Sequence, residues 1–196
     1  MTEVVLFHHV QGLTDGVQAF AQALRDAGHT VHTPDLFEGE VLASIDDGMA
    51  FADEVGGEAI TERADRAVAD LPEGLAFAGF SFGAGEAQRL AQTRPGARGA
   101  LLYEGCMPIS GEWAIGPWPA GVAVQIHGMD EDPFFGKGGD LDFARELVET
   151  VGPELAELFV YPGDRHLFTD SSLPSYDADA TALVLERSRA LLDRLS

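Results

Sequence analysis

A serine lies between two glycines at the point where an apolar run gives way to a helical pattern. The segment Gly79–Gly83 reads Gly-Phe-Ser-Phe-Gly, fits the pattern G-x-S-x-G and overlaps the end of the apolar run Leu75–Phe80. Between a strand and a helix, this pattern holds a serine Oγ on a strained turn, at the positive end of the helix dipole. Small residues two positions before and after the serine avoid clashes with the neighbouring strand and helix. We therefore predict that Ser81 is a nucleophile and that the backbone N–H of Phe82 faces the developing oxyanion.

A serine nucleophile needs a general base, and the base needs an acid that orients it. His166 comes just after the last strand-like run, and three acids follow the run that ends at His127: Asp130, Glu131 and Asp132. The order serine, acid, histidine is the one found in α/β-hydrolases. Each acid is within reach of a short loop, and we favour Asp132 because Pro133 after it would help to fix a turn. Ordinary packing is the alternative for Ser81 and His166, but a chance pair would rarely satisfy both the chain order and the position after strand ends.

Six strand-like runs alternate with helical patterns along the chain. The runs are Val4–His8, Thr30–Thr33, Leu75–Phe80, Ala100–Tyr103, Val122–His127 and Leu158–Tyr161. Several are continuously apolar, which is typical of parallel strands covered on both faces. The alternation predicts an α/β fold with an open, mostly parallel sheet of about six strands and helices on both faces. The 196 residues contain no repeat and no interdomain linker, so we expect one domain over residues 1–196.

Two stretches fit this alternation poorly: Phe37–Gly57, which is acidic and contains glycines, and Gly105–Gly121, which contains two tryptophans. Both follow strands, so both are expected over the carboxyl edge of the sheet, where open α/β sheets bind ligands. One interpretation is that they form pocket walls or a partial lid. The other is that they are ordinary surface loops. Four aromatic residues are candidates for the wall of an acyl or aryl pocket, or else for the core: Trp113, Trp118, Phe134 and Phe135, of which we favour the last two because they are close to Asp132.

The acidic composition limits the class of partner. The chain has 33 acidic and 12 basic residues, a formal net charge of −21. Such a surface repels nucleic acid and anionic lipid. We therefore expect a small-molecule substrate, with the chain as a monomer or homodimer.

The start of the chain lacks the regions of a signal peptide, and no apolar run approaches the ~20 residues of a membrane span, which predicts a cytoplasmic protein. The single cysteine, Cys106, excludes an internal disulfide and a cysteine-based zinc site, and serine chemistry needs no metal or organic cofactor.

Six stretches spread over nearly the whole chain resemble one family of enzymes. They are Gln11-Gly12, Pro34–Gly39, Gly79–Gly85, Tyr103–Gly105, His127–Pro133 and Tyr161–Phe168. The family is that of the dienelactone hydrolases, within the α/β-hydrolases, and the last stretch is the most specific to it. The resemblance implies three catalytic residues: the nucleophile Ser81, the acid Asp132 and the base His166. It also implies an oxyanion hole formed by the N–H groups of Phe82 and of either Val10 or Gln11, in the loop after the first strand.

Three positions depart from the pattern of this family. The namesake enzymes have a cysteine nucleophile, where this chain has Ser81. They place a glutamate after the first strand, where this chain has His9, a residue that either lines the pocket or is simply packed. They hold the substrate carboxylate with arginines, one of them a turn beyond the catalytic histidine, where this chain has Asp170. A dienelactone carboxylate would meet an acid at that position, so we expect a neutral ester as the substrate.

The sequence thus predicts a serine hydrolase that cleaves a carboxylic ester or lactone through a Ser-His-Asp triad and an acyl-enzyme. A thioesterase, an amidase or an acyltransferase on the same scaffold would share that acyl-enzyme, so the residues do not separate these activities. A non-catalytic binding module that keeps the fold is the remaining alternative. The presence of a serine, an acid and a histidine in the expected order argues against it.

Overall fold

Six parallel strands form one sheet in the computed structural model, which describes residues 1–196. In chain order they are β1 (Glu3–Phe7), β2 (Thr30–His32), β3 (Ala76–Phe80), β4 (Gly99–Tyr103), β5 (Ala123–Met129) and β6 (Ala156–Tyr161). Their order across the sheet is β2-β1-β3-β4-β5-β6, and every neighbouring pair is parallel. All six strands expected from the sequence are confirmed, and their ends differ from the expectation by at most two residues.

Helices cover both faces of the sheet, because successive side chains of each strand point to opposite faces. The helices are α1 (Asp15–Asp26), α2 (Ile45–Val55), α3 (Gly57–Val68), α4 (Phe82–Thr93), α5 (Asp140–Val151) and α6 (Ala178–Arg194). On one face, Val5 and Phe7 of β1 share a core with helices α2 to α5. On the other face, Val4 and Leu6 share a core with α1 and α6. No helix is both long enough and apolar enough to cross a membrane.

Helix α2 and the connection between β4 and β5 occupy the two stretches that fit the alternation poorly. Ser44 caps α2 by accepting the backbone N–H of Asp47, and Asp46 and Asp47 place negative charge at the positive end of the helix. Only Gly48 and Ala52 of its 11 residues are buried, so the helix has a weak apolar pattern. The β4–β5 connection contains no helix, and these two parallel strands are therefore joined by irregular chain.

The carboxyl ends of β1 and β3 lie side by side where the strand order reverses. From β1 the chain moves outward to β2, then returns past β1 to β3 and continues in the opposite direction to β6. A reversal of this kind opens a crevice at the carboxyl edge of the sheet, and open α/β sheets bind ligands there. The segments that follow β1, β3, β5 and β6 carry the catalytic and oxyanion-hole residues predicted from the sequence.

Two glycines allow α4 to begin directly against the sheet. A Cβ on Gly79 would lie 2.1 Å from the carbonyl oxygen of Gly83. A Cβ on Gly83 would lie 2.4 Å from the carbonyl oxygen of His8 and 2.6 Å from that of Phe7. Gly85, two residues further along the helix, faces the cavity, and the nearest atom to its Cβ position is the Cγ of Met107 at 4.0 Å, an ordinary contact distance. The first turn of α4 therefore requires glycine on the side that faces the sheet.

Alanine at two of these positions should act in opposite directions. Gly83→Ala pushes α4 away from β1 and is expected to lower the free energy of unfolding by about 2 kcal/mol or more, a usual cost of overpacking. Gly85→Ala adds a methyl group without a clash and is expected to be neutral or to stabilise by up to about 1 kcal/mol, because alanine is the better helix former. Urea unfolding of the two variants measures both effects. Equal free energies of unfolding would contradict the close approach of α4 to the sheet.

Candidate active site

Ser81 lies on a strained turn between β3 and α4. Its backbone angles, φ 47° and ψ −110°, fall outside the regions that L-residues ordinarily occupy. Its N–H donates to the carbonyl oxygen of Tyr103 at 2.7 Å, which fixes the turn to the end of β4. Ser81 is the N-cap residue of α4, yet its side chain makes no capping hydrogen bond. The hydroxyl group is therefore available to another partner.

Two hydrogen bonds of 2.7 Å join Ser81, His166 and Asp132. The Ser81 Oγ contacts His166 Nε2, and His166 Nδ1 contacts a carboxylate oxygen of Asp132. Because a carboxylate only accepts, Nδ1 carries the proton and Nε2 presents its lone pair to the serine hydroxyl. The imidazole is thus oriented to accept the hydroxyl proton of Ser81.

Of the three acids that follow β5, only Asp132 contacts His166. Asp132 is fully buried, and its second oxygen accepts two backbone N–H groups of the turn that follows, at 2.8 and 3.2 Å. Asp130 and Glu131 are exposed and make their contacts elsewhere, the first with a backbone N–H and the second with a lysine. The geometry therefore identifies Asp132 as the partner of His166. Both of its carboxylate oxygens have hydrogen-bond partners in this arrangement.

Ser81 and His166 line a cavity of about 610 Å³ at the carboxyl edge of the sheet. Its apolar wall draws on both of the stretches that fit the alternation poorly: Ile45 and Met49 from α2, and Met107 and Ile115 from the β4–β5 connection. Residues of both stretches therefore form part of the wall of this cavity. Met49 is 47% exposed and Met107 is 39% exposed, so apolar surface extends to the mouth of the cavity.

Three further residues predicted for the site line this cavity: Val10, Phe82 and Phe134. The ring centre of Phe134 lies 4.6 Å from that of His166, so the phenyl ring covers one side of the imidazole. The other three predicted aromatic residues lie outside the cavity, among them Trp118, whose indole N–H donates to the carbonyl oxygen of Val122 at 2.8 Å. Phe135 is fully buried and packs against Gly128 of β5, where the absence of a side chain leaves room for its ring. Trp113 is 79% exposed, on the irregular β4–β5 connection.

His9 and Gln11 do not line the cavity that holds Ser81. His9 is fully buried, and its Nε2 lies 2.7 Å from a carboxylate oxygen of Asp170. Asp170 is itself buried and is absent from the cavity wall, so the expectation that this acid meets the substrate is wrong. The backbone N–H of Gln11 donates to Nδ1 of His9 at 3.2 Å.

Of the residues predicted as oxyanion donors, Phe82 and Val10 line the cavity and have backbone N–H groups without an acceptor in the protein. Phe82 is the first residue of α4, and the first N–H groups of a helix have no intrahelical acceptor. The N–H of Gln11 is already used by His9. Of the three predicted oxyanion donors, Phe82 and Val10 are therefore the two that remain free.

A buried carboxyl group at the same cavity is absent from the residues predicted for the site. Glu104 directly follows β4 with a φ of 58°, lines the cavity and is 1% exposed. One oxygen accepts the N–H and the hydroxyl of Thr169, at 3.2 and 3.1 Å, and the other has no partner. Burial raises the pKa of Glu104 to about 7, although the charge of His166 and the hydrogen bonds from Thr169 act in the opposite direction. The one feature of the sequence that could have pointed to Glu104 is its position, as an acid directly after a continuously apolar run.

The other charged groups of the cavity are mainly acids. Glu86 and Asp140 line it together with Glu104, and burial raises the pKa of Asp140. Arg89 also lines the cavity, but its guanidinium is paired with Glu86 at 2.7 Å and with Asp65 at 2.8 Å. No group of three histidine, cysteine or carboxylate side chains is arranged to hold a metal ion.

The sheet order and the serine turn between β3 and α4 define the class of the protein, because both are features of the α/β-hydrolase fold. The sequence model of the dienelactone hydrolase family matches residues 1–196. The chain therefore belongs to the dienelactone hydrolase family. A search of curated proteins found no match.

Solved structures with the same fold are similar to this chain at low sequence identity. A dienelactone hydrolase-like promiscuous phosphotriesterase from metagenomic libraries is 21% identical with a TM-score of 0.78, over 100% of this chain and 87% of the other. Thermogutta terrifontis esterase 2, phosphoramylated by tabun, is 16% identical with a TM-score of 0.66, over 100% and 83% of the two chains. An α/β-hydrolase enzyme from a Medee basin deep-sea metagenome library is 17% identical with a TM-score of 0.61, over 99% and 84%.

The raised pKa of Glu104 should make stability depend on pH. The carboxyl group ionises near pH 4.5 in the unfolded chain and near 7 in the folded protein, so its stabilising contribution is complete below 4.5 and is lost as the pH rises to about 7. Glu104→Gln removes the ionisation and keeps an acceptor for Thr169. Relative to wild type, the variant is expected to gain about 2 kcal/mol of stability between pH 5 and pH 8. Urea unfolding of both proteins at the two pH values measures the gain, and a difference independent of pH would contradict it.

Proposed function

We propose that the protein is a serine hydrolase that cleaves a neutral carboxylic ester or lactone through an acyl-enzyme at Ser81. The observation that carries this proposal is the pair of 2.7 Å hydrogen bonds linking Ser81, His166 and Asp132 beside an apolar cavity. A nucleophile, a base and an acid that orients the base are the groups that acyl transfer requires.

In the acylation step, the Ser81 Oγ adds to the ester carbonyl carbon and the hydroxyl proton passes to His166 Nε2. Asp132 stabilises the resulting imidazolium through its hydrogen bond to Nδ1–H and stays ionised. The negative charge on the former carbonyl oxygen is stabilised by the N–H groups of Phe82 and Val10. Collapse of the tetrahedral intermediate breaks the bond to the leaving alkoxide, which takes the proton from His166, and leaves the acyl group on Ser81.

Deacylation repeats these roles with water as the nucleophile. Water adds to the acyl carbonyl and gives a proton to His166 Nε2, and collapse returns that proton to the Ser81 Oγ as the acid leaves. The imidazole carries the proton and the backbone N–H groups stabilise the negative charge. Each step of this sequence is therefore performed by the chain's own groups.

The cavity favours a substrate without negative charge. A volume of about 610 Å³ lies in the range of small-molecule sites, and much of the wall is apolar. Glu86, Glu104 and Asp140 would surround a substrate carboxylate with acids, and the cation of Arg89 is already paired. An anionic substrate would therefore lose its hydration without gaining a free cation in exchange.

Two other classes of function use the same residues differently. A thioesterase, an amidase or an acyltransferase would form the same acyl-enzyme and differ in the leaving group or the acceptor. A binding module would hold a ligand in the cavity without acylation of Ser81. Esterase and phosphotriesterase names among the similar structures support hydrolysis over binding alone.

Labelling with a fluorophosphonate, followed by mass mapping, tests the nucleophile. The wild-type protein is expected to be labelled at Ser81 and to hydrolyse para-nitrophenyl acetate. Ser81→Ala is expected to remain folded, to escape labelling and to lose turnover by about 10³-fold or more. Ser110→Ala, at an exposed serine of the β4–β5 connection, is the matched control and keeps both properties. Full turnover by a folded Ser81→Ala protein would exclude the mechanism, and an unlabelled, folded wild type would favour the binding module.

A pair of esters that differ in one charge tests the substrate class. The para-nitrophenyl ester of butanoate is neutral, whereas the mono-para-nitrophenyl ester of succinate has a similar length and a free carboxylate. We expect kcat/KM to be about tenfold higher or more for the neutral ester, equivalent to roughly 1.4 kcal/mol of transition-state stabilisation. The thioester and the anilide of butanoate measured beside them separate the alternative activities. Faster turnover of the succinate ester would contradict the assignment to neutral substrates.

A further inference from the structure

A buried pair of side chains, His9 and Asp170, contacts the loop that follows β1. His9 Nε2 lies 2.7 Å from an oxygen of Asp170, and His9 Nδ1 accepts the backbone N–H of Gln11 at 3.2 Å. Because the carboxylate only accepts, Nε2 carries the proton and Nδ1 keeps the lone pair that the N–H of Gln11 requires. Both contacts therefore depend on the same neutral form of the imidazole.

Asp170 is fixed by hydrogen bonds to both of its oxygens. The oxygen that contacts His9 also accepts the hydroxyl of Thr14 at 2.5 Å. The other oxygen accepts the N–H and the hydroxyl of Ser172, at 2.8 and 2.6 Å. Burial acts to raise the pKa of Asp170, but these hydrogen bonds outweigh it and hold the pKa at about 2. The carboxylate is thus a permanent acceptor that orients the imidazole of His9.

The peptide group between His9 and Val10 is held through its carbonyl oxygen, whereas Gln11 is held through its N–H. The carbonyl oxygen of His9 accepts the Nδ1–H of His8 at 2.7 Å and the N–H of Gly12 at 3.0 Å. The chain has no cis peptide bond, and in a trans peptide the N–H points away from the carbonyl oxygen. The N–H of Val10 therefore points away from these contacts, and Val10 lines the cavity.

We propose that His9 is a positioning residue for the oxyanion hole. Its Nδ1 binds the N–H of Gln11 and so leaves the N–H of Val10 as the donor that this loop supplies, while Asp170 fixes the imidazole. The inference rests on the proposed function, because an oxyanion hole matters only if Ser81 forms tetrahedral intermediates. His9 does not touch the cavity, so it acts through the backbone alone.

Two substitutions at position 9 separate the two contacts of the imidazole. In His9→Asn, the amide oxygen reaches the place of Nδ1 and accepts the N–H of Gln11, but the side chain no longer reaches Asp170. In His9→Gln, the amide nitrogen reaches the place of Nε2 and donates to Asp170, but Gln11 is left without its acceptor. If His9 has a purely structural role, loss of its contact with Asp170 should lower activity more. If His9 positions the oxyanion hole, loss of its contact with Gln11 should lower activity more.

We expect His9→Gln to lower kcat by about 100-fold, with KM nearly unchanged and a melting temperature close to that of the wild type. We expect His9→Asn to lower the melting temperature further, because Asp170 loses a partner, and to keep a kcat about tenfold or more above that of His9→Gln. Amide hydrogen exchange is measured in the same proteins. The N–H of Gln11 should be protected in the wild type and in His9→Asn, and unprotected in His9→Gln.

His29→Gln is the matched control, since His29 is a second buried histidine outside the cavity, and it should keep kcat. The proposal is overturned if kcat falls in step with the melting temperature across the two His9 variants, or if Gln11 stays protected in His9→Gln. Failure of the proposed function gives a different result: folded wild-type protein is then not labelled at Ser81. Hydrogen exchange of Gln11 still decides, in that case, whether His9 holds its N–H.

Discussion

The close contact between the first turn of α4 and the carboxyl ends of β1 and β3 is the constraint on which the rest of the site depends. Gly79 and Gly83 leave no side chain in this contact, so the helix can begin one residue after Ser81. Ser81 then adopts backbone angles that cost on the order of 1–3 kcal/mol, and its hydrogen bond to the carbonyl of Tyr103 helps the sheet to hold them. The same contact brings the free N–H of Phe82 to the cavity beside the serine.

The positions of the histidine and the acid follow from the parallel sheet. Because β3, β5 and β6 are parallel, the segments after them open at the same edge, and Ser81, Asp132 and His166 meet there. A buried carboxyl group without partners would be costly. Asp132 avoids that cost because one oxygen accepts two backbone N–H groups and the other contacts His166. The carboxyl group can therefore be fully buried in the turn after β5.

The strands and the order of serine, acid and histidine could be predicted from the sequence, because apolar runs and the serine turn are local signals. Helix α2 could not, because only 2 of its 11 residues are buried. The burial of Glu104 depends on Thr169, 65 residues away, and no local pattern reports such a contact. Which of the N–H groups of Val10 and Gln11 stays free could not be predicted either, because His9 accepts the N–H of Gln11 through a contact that the sequence does not show.

The loop after β6 connects two histidine–carboxylate pairs. It supplies His166 to the pair with Asp132, and it supplies Asp170 to the pair with His9. Under the proposed mechanism the base and one oxyanion donor are therefore fixed by one short segment, and any displacement of it would disturb both. The opposite wall, formed by α2 and the β4–β5 connection, makes no hydrogen bond with either pair and ends in exposed methionines at the cavity mouth. Under the proposed mechanism, a larger substrate would therefore be accommodated at that wall, away from the groups that transfer protons.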